Sequence, residues 1–507
     1  MNQEKILLVI DQGTSRTKAC LWNDRLELLS TGYCPVEREM PRDGYVEEDP
    51  EGIWRSVLAS TEQALTEARV PANRIAAVGL ANQGESVLAW RAEDQAPLYP
   101  AIIWQDLRTV AECQRLASDH NLARLIRERT GLFIHPYFSA SKLGWLCRNV
   151  VAVRTALRKG TLRLGTLDAW LLARISGGKV FVTDHSTASR TMLFDITRLA
   201  WDHELCRIFS VPLEFLPKPV ASAQLVGTTD PNRFLGIEAP IAALVCDQPA
   251  ALLGHNCTSS GDTKCTLGTG AFVLMNIGNQ PQLRVRGLLT SLGWSISEGS
   301  PSYYLEGGIF FAGALAQWFC NNVGLIENPE EIETISRQIG STEGVYFVPA
   351  LSGLAAPHWN PLVRGVILGL SSKSGKAHIA RAAMEGVAFR LREIVDLMDQ
   401  FHPITGLKVD GGVTANPLWM QIIADMLGRP IIVSRVREAT ALGVAKLAWT
   451  TLEGPQSEKK LQAHELDIHA VFQPRLSVEE REQRFRKWKK AVSMALNWQS
   501  AKEGDCE

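Results

Sequence analysis

Three glycine-containing turns in this 507-residue sequence carry the residue types that bind phosphate groups. They read DQGTS at residues 11–15, LGTG at residues 267–270 and DGGVTAN at residues 410–416. Glycine allows backbone N–H groups to come close to phosphate oxygens, and threonine or serine adds a hydroxyl donor. One such turn alone is usually ordinary hairpin geometry. Three of them, spread over both halves of the chain, predict a nucleotide site.

The motifs of single phosphate-binding loops do not occur in this sequence. GLSSKSGKA at residues 369–377 has the wrong spacing for the GxxxxGK(S/T) loop and lacks a hydroxyl residue after Lys376. GTGAFV at residues 268–273 lacks the third glycine of a dinucleotide-binding fingerprint. We therefore expect two facing hairpins, rather than one loop, to hold the nucleotide.

Asp247 follows directly after the apolar run IAALVC at residues 241–246. A carboxylate at the end of a buried strand can accept the proton of a substrate hydroxyl while that oxygen attacks phosphorus. An aspartate in this position is also a frequent helix cap. The residues alone therefore leave a catalytic base and a cap as alternatives.

A polar cluster interrupts the apolar stretch LANQGESVLAW at residues 80–90. Asn82, Gln83 and Glu85 surround Gly84 there, between two apolar segments. Side chains of this kind fix the orientation of a polar ligand when a pocket lies beside them. The cluster is a second candidate for ligand binding.

Short aliphatic strands must position these turns. Residues 6–22 are typical of a strand, a tight turn and a second strand, and residues 74–90 repeat that plan. The plan restarts at residues 262–278, and residues 407–428 indicate a strand, a double-glycine turn and an amphipathic helix. We predict an α/β protein whose two similarly built halves face each other across a cleft.

Composition and charge narrow the class of protein. A chain of 507 residues is too long for one hydrophobic core, so we expect two or three domains. The net charge of −1 gives no reason to expect nucleic acid or a membrane surface as a partner. The ten cysteines contain no CxxC pair, which favours reduced thiols over disulfides or a zinc site. Because neither a signal peptide nor an apolar run of bilayer length is found, we expect a cytoplasmic protein.

Over nearly its whole length, the chain resembles the FGGY family of carbohydrate kinases, and within it the glycerol kinase branch. YFSASKLGWLCR at residues 137–148 is similar to the first family signature, with Lys142 and Trp145 at its fixed places. GVILGLSSKSGKAHIARAAME at residues 365–385 is similar to the second signature. The resemblance implies two actin-like domains with ribonuclease-H-like cores, closing over ATP and a small polyol or sugar. We expect residues 1–256 to hold the acceptor and residues 257–507 the nucleotide.

The resemblance also assigns roles to individual residues. It implies that Asp247 is the catalytic base and that Asp11 positions Mg²⁺ with the triphosphate. The residues implied in nucleotide binding are Thr14, Ser15, Thr269, Gly313, Gln317, Gly412 and Asn416. The residues implied in binding the acceptor are Glu85, Trp104, Tyr137, Asp247, Gln248 and Phe272. Two aromatic rings against the carbon face and polar groups on the hydroxyls suit a small polyol. The resemblance is also compatible with a homo-oligomer.

The sequence departs from the glycerol kinase pattern at Gly84, where the resemblance implies an arginine that grips glycerol hydroxyls. Losing that arginine costs on the order of 2–4 kcal/mol of binding if nothing replaces it. We therefore expect a larger pocket that takes a four- or five-carbon acceptor such as erythritol, ribitol, xylulose or ribulose. Alternatively, Arg16 or an arginine from elsewhere fills the gap and preserves glycerol as the substrate. Lys18 stands where the pattern also has an arginine.

Two functions of other classes fit part of the sequence. A catalytically silent actin-like sensor of nucleotide or sugar would not need Asp11, Thr14, Asp247 and Thr269 in their motifs. A chaperone-type ATPase would leave Trp104, Tyr137 and Phe272 unexplained. We also expect no inhibition by a sugar bisphosphate, because residues 228–248 lack the glycine-rich arginine loop associated with it.

Overall fold

Two large β-sheets organise the computed structural model, which describes residues 5–296, 301–436, 438–454 and 468–498. The six strands of the first sheet, β1–β6 in chain order, are Ile6–Gln12, Arg16–Trp22, Leu28–Pro35, Ile75–Asn82, Ala223–Thr228 and Pro240–Cys246. The seven strands of the second, β7–β13, are Thr263–Leu267, Ala271–Gly278, Leu289–Ser295, Pro301–Ile309, Leu407–Asp410, Ile431–Ser434 and Ile468–Phe472.

The two sheets are built on one plan. In the first, β1, β2 and β3 form an antiparallel meander, β1 pairs in parallel with β4, and β4 pairs in parallel with β6. In the second, β7, β8 and β10 are the corresponding antiparallel neighbours, with β9 added outside β10, while β7 pairs in parallel with β11 and β11 with β12. The predicted α/β class and the restart of the plan at residues 262–278 are confirmed.

Shorter strands and the helices complete the fold. A five-stranded sheet has the order Arg38–Glu39, Glu47–Glu48, Ala101–Ile102, Val87–Arg91 and Leu162–Thr166. Three two-stranded sheets pair Val182–Asp184 with Lys218–Val220, Phe194–Asp195 with Ala200–Trp201, and Tyr346–Val348 with Val366–Leu368. Among the described residues the α-helices are Pro50–Ala68, Val110–Ala117, His120–Thr130, Ser139–Asn149, Val151–Lys159, Leu167–Ile175, His185–Ala188, His203–Ile208, Asp247–Gly254, Ala314–Trp318, Glu331–Ser336, Lys376–Met398, Pro417–Leu427, Ala439–Glu453 and Val478–Asn497.

The central strands are buried because helices cover both faces of each sheet. Every residue of β1 is buried, which explains why its sequence is nearly continuously apolar rather than alternating. Among the helices described, none combines the length and the apolar character that a membrane span needs.

Two helices from different halves of the chain pack at very short range beside the first sheet. A Cβ on Gly443, in helix Ala439–Glu453, would lie 1.9 Å from the Ala250 carbonyl oxygen in helix Asp247–Gly254. A Cβ on Gly254 would lie equally close, 1.9 Å, to the Ala439 carbonyl oxygen. Glycine at both positions permits this approach, so the helix that begins at Asp247 is held by the second half of the chain.

Candidate active site

Three adjacent parallel strands end at one edge of the first sheet and bring polar residues together. Asn82, the last residue of β4, is the register partner of Gln12 on β1 and of Cys246 on β6. The carboxyl ends of parallel strands are the usual place for a ligand site in α/β folds. The stretch Gln83–Glu85 and Asp247 follow directly after β4 and β6, so two predicted site segments meet here.

Asp247 is the first residue of helix Asp247–Gly254, and its Oδ1 accepts a hydrogen bond of 2.7 Å from the Gln248 backbone N–H. Burial, reinforced by the negative charges of Glu85 and Asp11, raises the pKa of Asp247 to about 7. A general base works best when its pKa is close to the working pH, whereas a carboxylate that only caps a helix has no such requirement. The N-cap of this helix is Cys246, and no side chain caps it, so the catalytic interpretation of Asp247 is favoured over that of a helix cap.

One cavity of about 220 Å³ gathers the residues predicted to bind the acceptor. All six of them line it, namely Glu85, Trp104, Tyr137, Asp247, Gln248 and Phe272. Thr14, Ser15 and Thr269, from the hairpins β1–β2 and β7–β8, line the same cavity. The two hairpins expected to hold the phosphates therefore open onto the space beside Asp247.

Aromatic rings form one wall of this cavity. The ring centroid of Trp104 lies 5.7 Å from that of Tyr137 and 6.3 Å from that of Phe272, both edge-on. Trp104 Nε1 donates a hydrogen bond of 2.8 Å to Thr14 Oγ1, and Thr14 donates one of 3.2 Å to Gln83 Oε1. The wall is therefore tied both to the first hairpin and to the polar cluster.

A second cavity of about 1100 Å³ adjoins the first and shares Gln248 and Thr266 with it. Gly411 and Gly412, from the third glycine turn, line this larger space. Arg16 also lines it and not the smaller cavity, so Arg16 does not replace the missing arginine at Gly84. A space of this size next to the hairpins can accept a nucleotide.

Asp11 lies at the end of β1, next to the larger cavity. Its Oδ2 is 3.8 Å from Lys18 Nζ, which is also 2.5 Å from Glu438 Oε2 and lines that cavity. Burial raises the pKa of Asp11, although the charge of Lys18 lowers it. Within the described ranges no group of three or more His, Cys, Asp or Glu side chains is arranged to hold a metal ion. Mg²⁺ in kinases is usually held by one or two carboxylates together with phosphates, so a single carboxylate here fits that ion.

Three predicted nucleotide residues line neither of these two cavities. Gly313 packs against the second hairpin, where its backbone N–H donates a hydrogen bond of 3.0 Å to the Gly268 carbonyl. Gln317 donates a hydrogen bond of 2.9 Å to Asn321 on its own helical segment. Asn416 caps helix Pro417–Leu427 by accepting a hydrogen bond of 2.9 Å from the Trp419 backbone N–H.

Arg190 also lines the cavity, and no role was predicted for it from the sequence. Its Nε donates a hydrogen bond of 2.7 Å to Glu85 Oε1, and its Nη1 lies 2.8 Å from Glu306 Oε2 on β10. Although burial lowers it, the pKa of Arg190 is held above its ordinary value by Glu306, Tyr304 and Glu85. The buried guanidinium thereby fixes Glu85 and connects it to the second sheet. The segment TDHSTASRTMLFD at residues 183–195 is similar to the family, and this was the only sequence signal.

The space beside Gly84 is filled, contrary to the expectation that glycine there enlarges the pocket. A Cβ on Gly84 would lie 2.5 Å from Cys246 Sγ and 3.3 Å from Arg190 Cγ. Both of these neighbouring side chains are buried and line the cavity. Arg190 is thus an arginine from elsewhere that stands next to Gly84, but its guanidinium is engaged by two carboxylates.

Comparison with known proteins identifies the family. The N-terminal domain model of the FGGY family of carbohydrate kinases matches residues 6–254, and the C-terminal domain model matches residues 263–452. The glycerol kinase of Citrifermentans bemidjiense is 43% identical over 495 residues, covering 97% of this chain and 99% of that protein. The glycerol kinase of Thermus brockianus is 43% identical over 500 residues, with the same coverage of 97% and 99%.

Solved structures agree with this relationship. Plasmodium falciparum glycerol kinase with ADP superposes with a TM-score of 0.88 at 32% identity, covering 97% of this chain and 98% of that one. A gluconate kinase from Lactobacillus acidophilus superposes with a TM-score of 0.85 at 22% identity, covering 100% of both chains, a likeness of fold alone. The predicted pair of actin-like domains is confirmed.

Proposed function

The chain belongs to the FGGY family of carbohydrate kinases, and from that premise we propose how its site phosphorylates a hydroxyl of a small polyol or sugar. As a member of this family it is an ATP-dependent phosphotransferase with an alcohol group as acceptor. We assign the acceptor to the cavity of about 220 Å³ and the catalytic base to Asp247. The observation that carries this assignment is a carboxyl of pKa about 7 in a cavity shared by an aromatic wall and two hydroxyl-bearing hairpins.

Asp247 acts on the acceptor hydroxyl. Its carboxylate accepts the hydroxyl proton while that oxygen forms a bond to the γ-phosphorus, and the bond from phosphorus to the bridging oxygen of ADP breaks. Glu85 accepts a hydrogen bond from another hydroxyl, held in position by Arg190. Trp104 and Phe272 cover the carbon face of the acceptor and exclude water, which limits transfer of the phosphoryl group to water.

Both hairpins contribute to binding of the triphosphate. Ser15 on the first hairpin and Thr269 on the second supply hydroxyl and backbone N–H donors to the cavity. Thr14, whose hydroxyl already donates to Gln83, supplies its backbone N–H. Gly412 lets the chain of the third turn approach the nucleotide in the larger cavity. Gly313 supports the second hairpin by its contact with Gly268. Gln317 and Asn416 line neither cavity, so they contact the nucleotide only if it extends beyond both cavities.

Asp11 is the residue that we assign to Mg²⁺. One carboxylate at the end of β1, next to the hairpins, matches a cation that takes most of its ligands from phosphates and water. When bound, the ion neutralises charge on the transferring phosphoryl group. Lys18, 3.8 Å from Asp11 and paired with Glu438, links this position to the helix Ala439–Glu453.

We place the division between the two domains at residues 256 and 257, as the sequence predicts. The first sheet, with Asp247 and Glu85, comes from the chain before this point, and the second sheet comes after it. Helix Ala439–Glu453 packs across the division against helix Asp247–Gly254.

A coupled ADP-release assay with MgATP tests the proposed function. The acceptors to be compared by kcat/KM are glycerol, erythritol, ribitol, xylitol, xylulose and ribulose. We expect release that depends on an acceptor and is abolished in Asp247→Asn, with ATP affinity nearly unchanged. Turnover that survives in Asp247→Asn would exclude this residue as the base.

A further inference from the structure

The substrate cavity is closed on the side of Gly84. Cys246 Sγ occupies the position that a side chain on Gly84 would need, since the two would come within 2.5 Å. Arg190 fills the neighbouring space, and ion pairs to Glu85 and Glu306 hold it there. An acceptor longer than three carbons cannot extend in this direction without displacing buried side chains.

Two arginines line the cavity, and they differ in how their charges are balanced. Arg190 lies 2.7 Å from Glu85 Oε1 and 2.8 Å from Glu306 Oε2, so two carboxylates share its charge. Among the described residues Arg38 has no carboxylate within ion-pair distance, although its charge acts on the buried Glu48, its partner across the strand pair. Its Nη1 donates a hydrogen bond of 2.9 Å to Gln105 Oε1. Of the two arginines, Arg38 is therefore the one that can still donate hydrogen bonds to a ligand.

Arg38 stands at the solvent side of the cavity. It is exposed and lies on the short edge strand Arg38–Glu39, whereas Glu85 and Tyr137, which also line the cavity, are buried. Its partner Gln105 follows Trp104, so the pair is next to the aromatic wall. A guanidinium offers five N–H donors and no acceptor, so it binds an oxygen that accepts.

We propose that Arg38 is a specificity-determining residue that binds an oxygen on the fourth or a later carbon of the acceptor. With the reacting hydroxyl at Asp247 and the side of Gly84 closed, we expect a longer polyol to follow the aromatic wall to Gln105, where Arg38 offers its donors. We expect glycerol, with only three carbons, to leave this contact unmade. The inference rests on the proposed kinase function and specifies its substrate class as polyols of four or five carbons.

The test compares Arg38→Met and Arg38→Lys with the wild-type enzyme in the ADP-release assay, using glycerol, erythritol and ribitol. A hydrogen bond from a charged donor to a hydroxyl predicts that Arg38→Met loses about 10- to 100-fold in kcat/KM for erythritol or ribitol. For glycerol the loss should be less than about threefold, with Arg38→Lys between wild type and Arg38→Met. Arg42→Met is the matched control, because Arg42 stacks on the Tyr45 ring at 4.4 Å and does not line the cavity.

Three results would overturn the inference while leaving the kinase function in place. They are an equal loss for glycerol and the longer acceptors, no loss for any of them, and a wild-type enzyme that prefers glycerol. If kcat/KM falls equally for all acceptors and the KM for ATP rises, Arg38 contacts the phosphates of ATP instead of the acceptor. Absence of ADP release from the wild-type enzyme with every acceptor would instead overturn the proposed function, and the inference with it.

Discussion

Replacing Gly84 by alanine measures how tightly the closed side of the substrate cavity is packed. The added Cβ would lie 2.5 Å from Cys246 Sγ and 3.3 Å from Arg190 Cγ. Because comfortable contacts between such atoms are about 3.5–4.0 Å, the thiol must move by roughly 1 Å. Cys246 is buried, and Arg190 is held by ion pairs, so neither moves freely. We expect Gly84→Ala to lower the free energy of unfolding by about 1–3 kcal/mol.

A double-mutant cycle with Cys246→Gly isolates this contact. Removing the thiol clears the space for the new methyl group, so the double variant should be more stable than the sum of the single effects by about 1–2 kcal/mol. Urea unfolding followed by tryptophan fluorescence gives the four free energies. Gly340→Ala is the control, because nothing lies within 4 Å of a Cβ at that position. Additive effects of the two single changes, or a Gly84→Ala protein as stable as Gly340→Ala, would refute the packing described for this wall.

Three further changes probe other parts of the site. Arg190→Met leaves Glu85 and Glu306 buried without a cation, so thermal denaturation should show a loss of about 3–5 kcal/mol, with a smaller loss for Arg190→Lys. The value of kcat/KM for the acceptor should rise as pH increases through about 7, because Asp247 must lose its proton to act as a base. A profile that stays flat between pH 6 and 8 would contradict that role. Trp104→Phe removes the donor to Thr14 Oγ1, 2.8 Å away, and should reduce kcat/KM by about 2- to 10-fold. Unchanged kinetics would mean that this hydrogen bond does not position the wall.

The elements around the glycine turns could be predicted because their signals are local. A continuous apolar run followed by a polar turn marks the end of a buried strand, and this pattern located both hairpins and Asp247. The parallel pairing of β1, β4 and β6 then brings segments that are far apart in sequence to one edge of the sheet. The six residues expected to bind the acceptor meet in one cavity for that reason.

Residues whose roles depend on tertiary packing left no comparable signal. Arg190 pairs with Glu85, 105 positions earlier, and with Glu306, 116 positions later, so no spacing rule points to it. The expectation of a larger pocket beside Gly84 is wrong because Cys246, at the end of a different strand, fills that space. The ionisation state of Asp247 likewise depends on burial and on charges from β1 and the Gln83–Glu85 turn. The sequence pattern locates Gly84 and Asp247 along the chain, but which side chains and charges surround them depends on how the chain folds.

The most direct test of the proposed function is the stoichiometry of ADP and phosphoester formed from MgATP in the presence and absence of an acceptor. With a four- or five-carbon polyol, we expect one phosphoester per ADP and release at least tenfold faster than without an acceptor. The product should carry its phosphate on a terminal hydroxyl, which ³¹P NMR identifies. ADP release at the same rate with and without polyol, and without any phosphoester, would contradict the assignment of the cavity beside Asp247 to an acceptor.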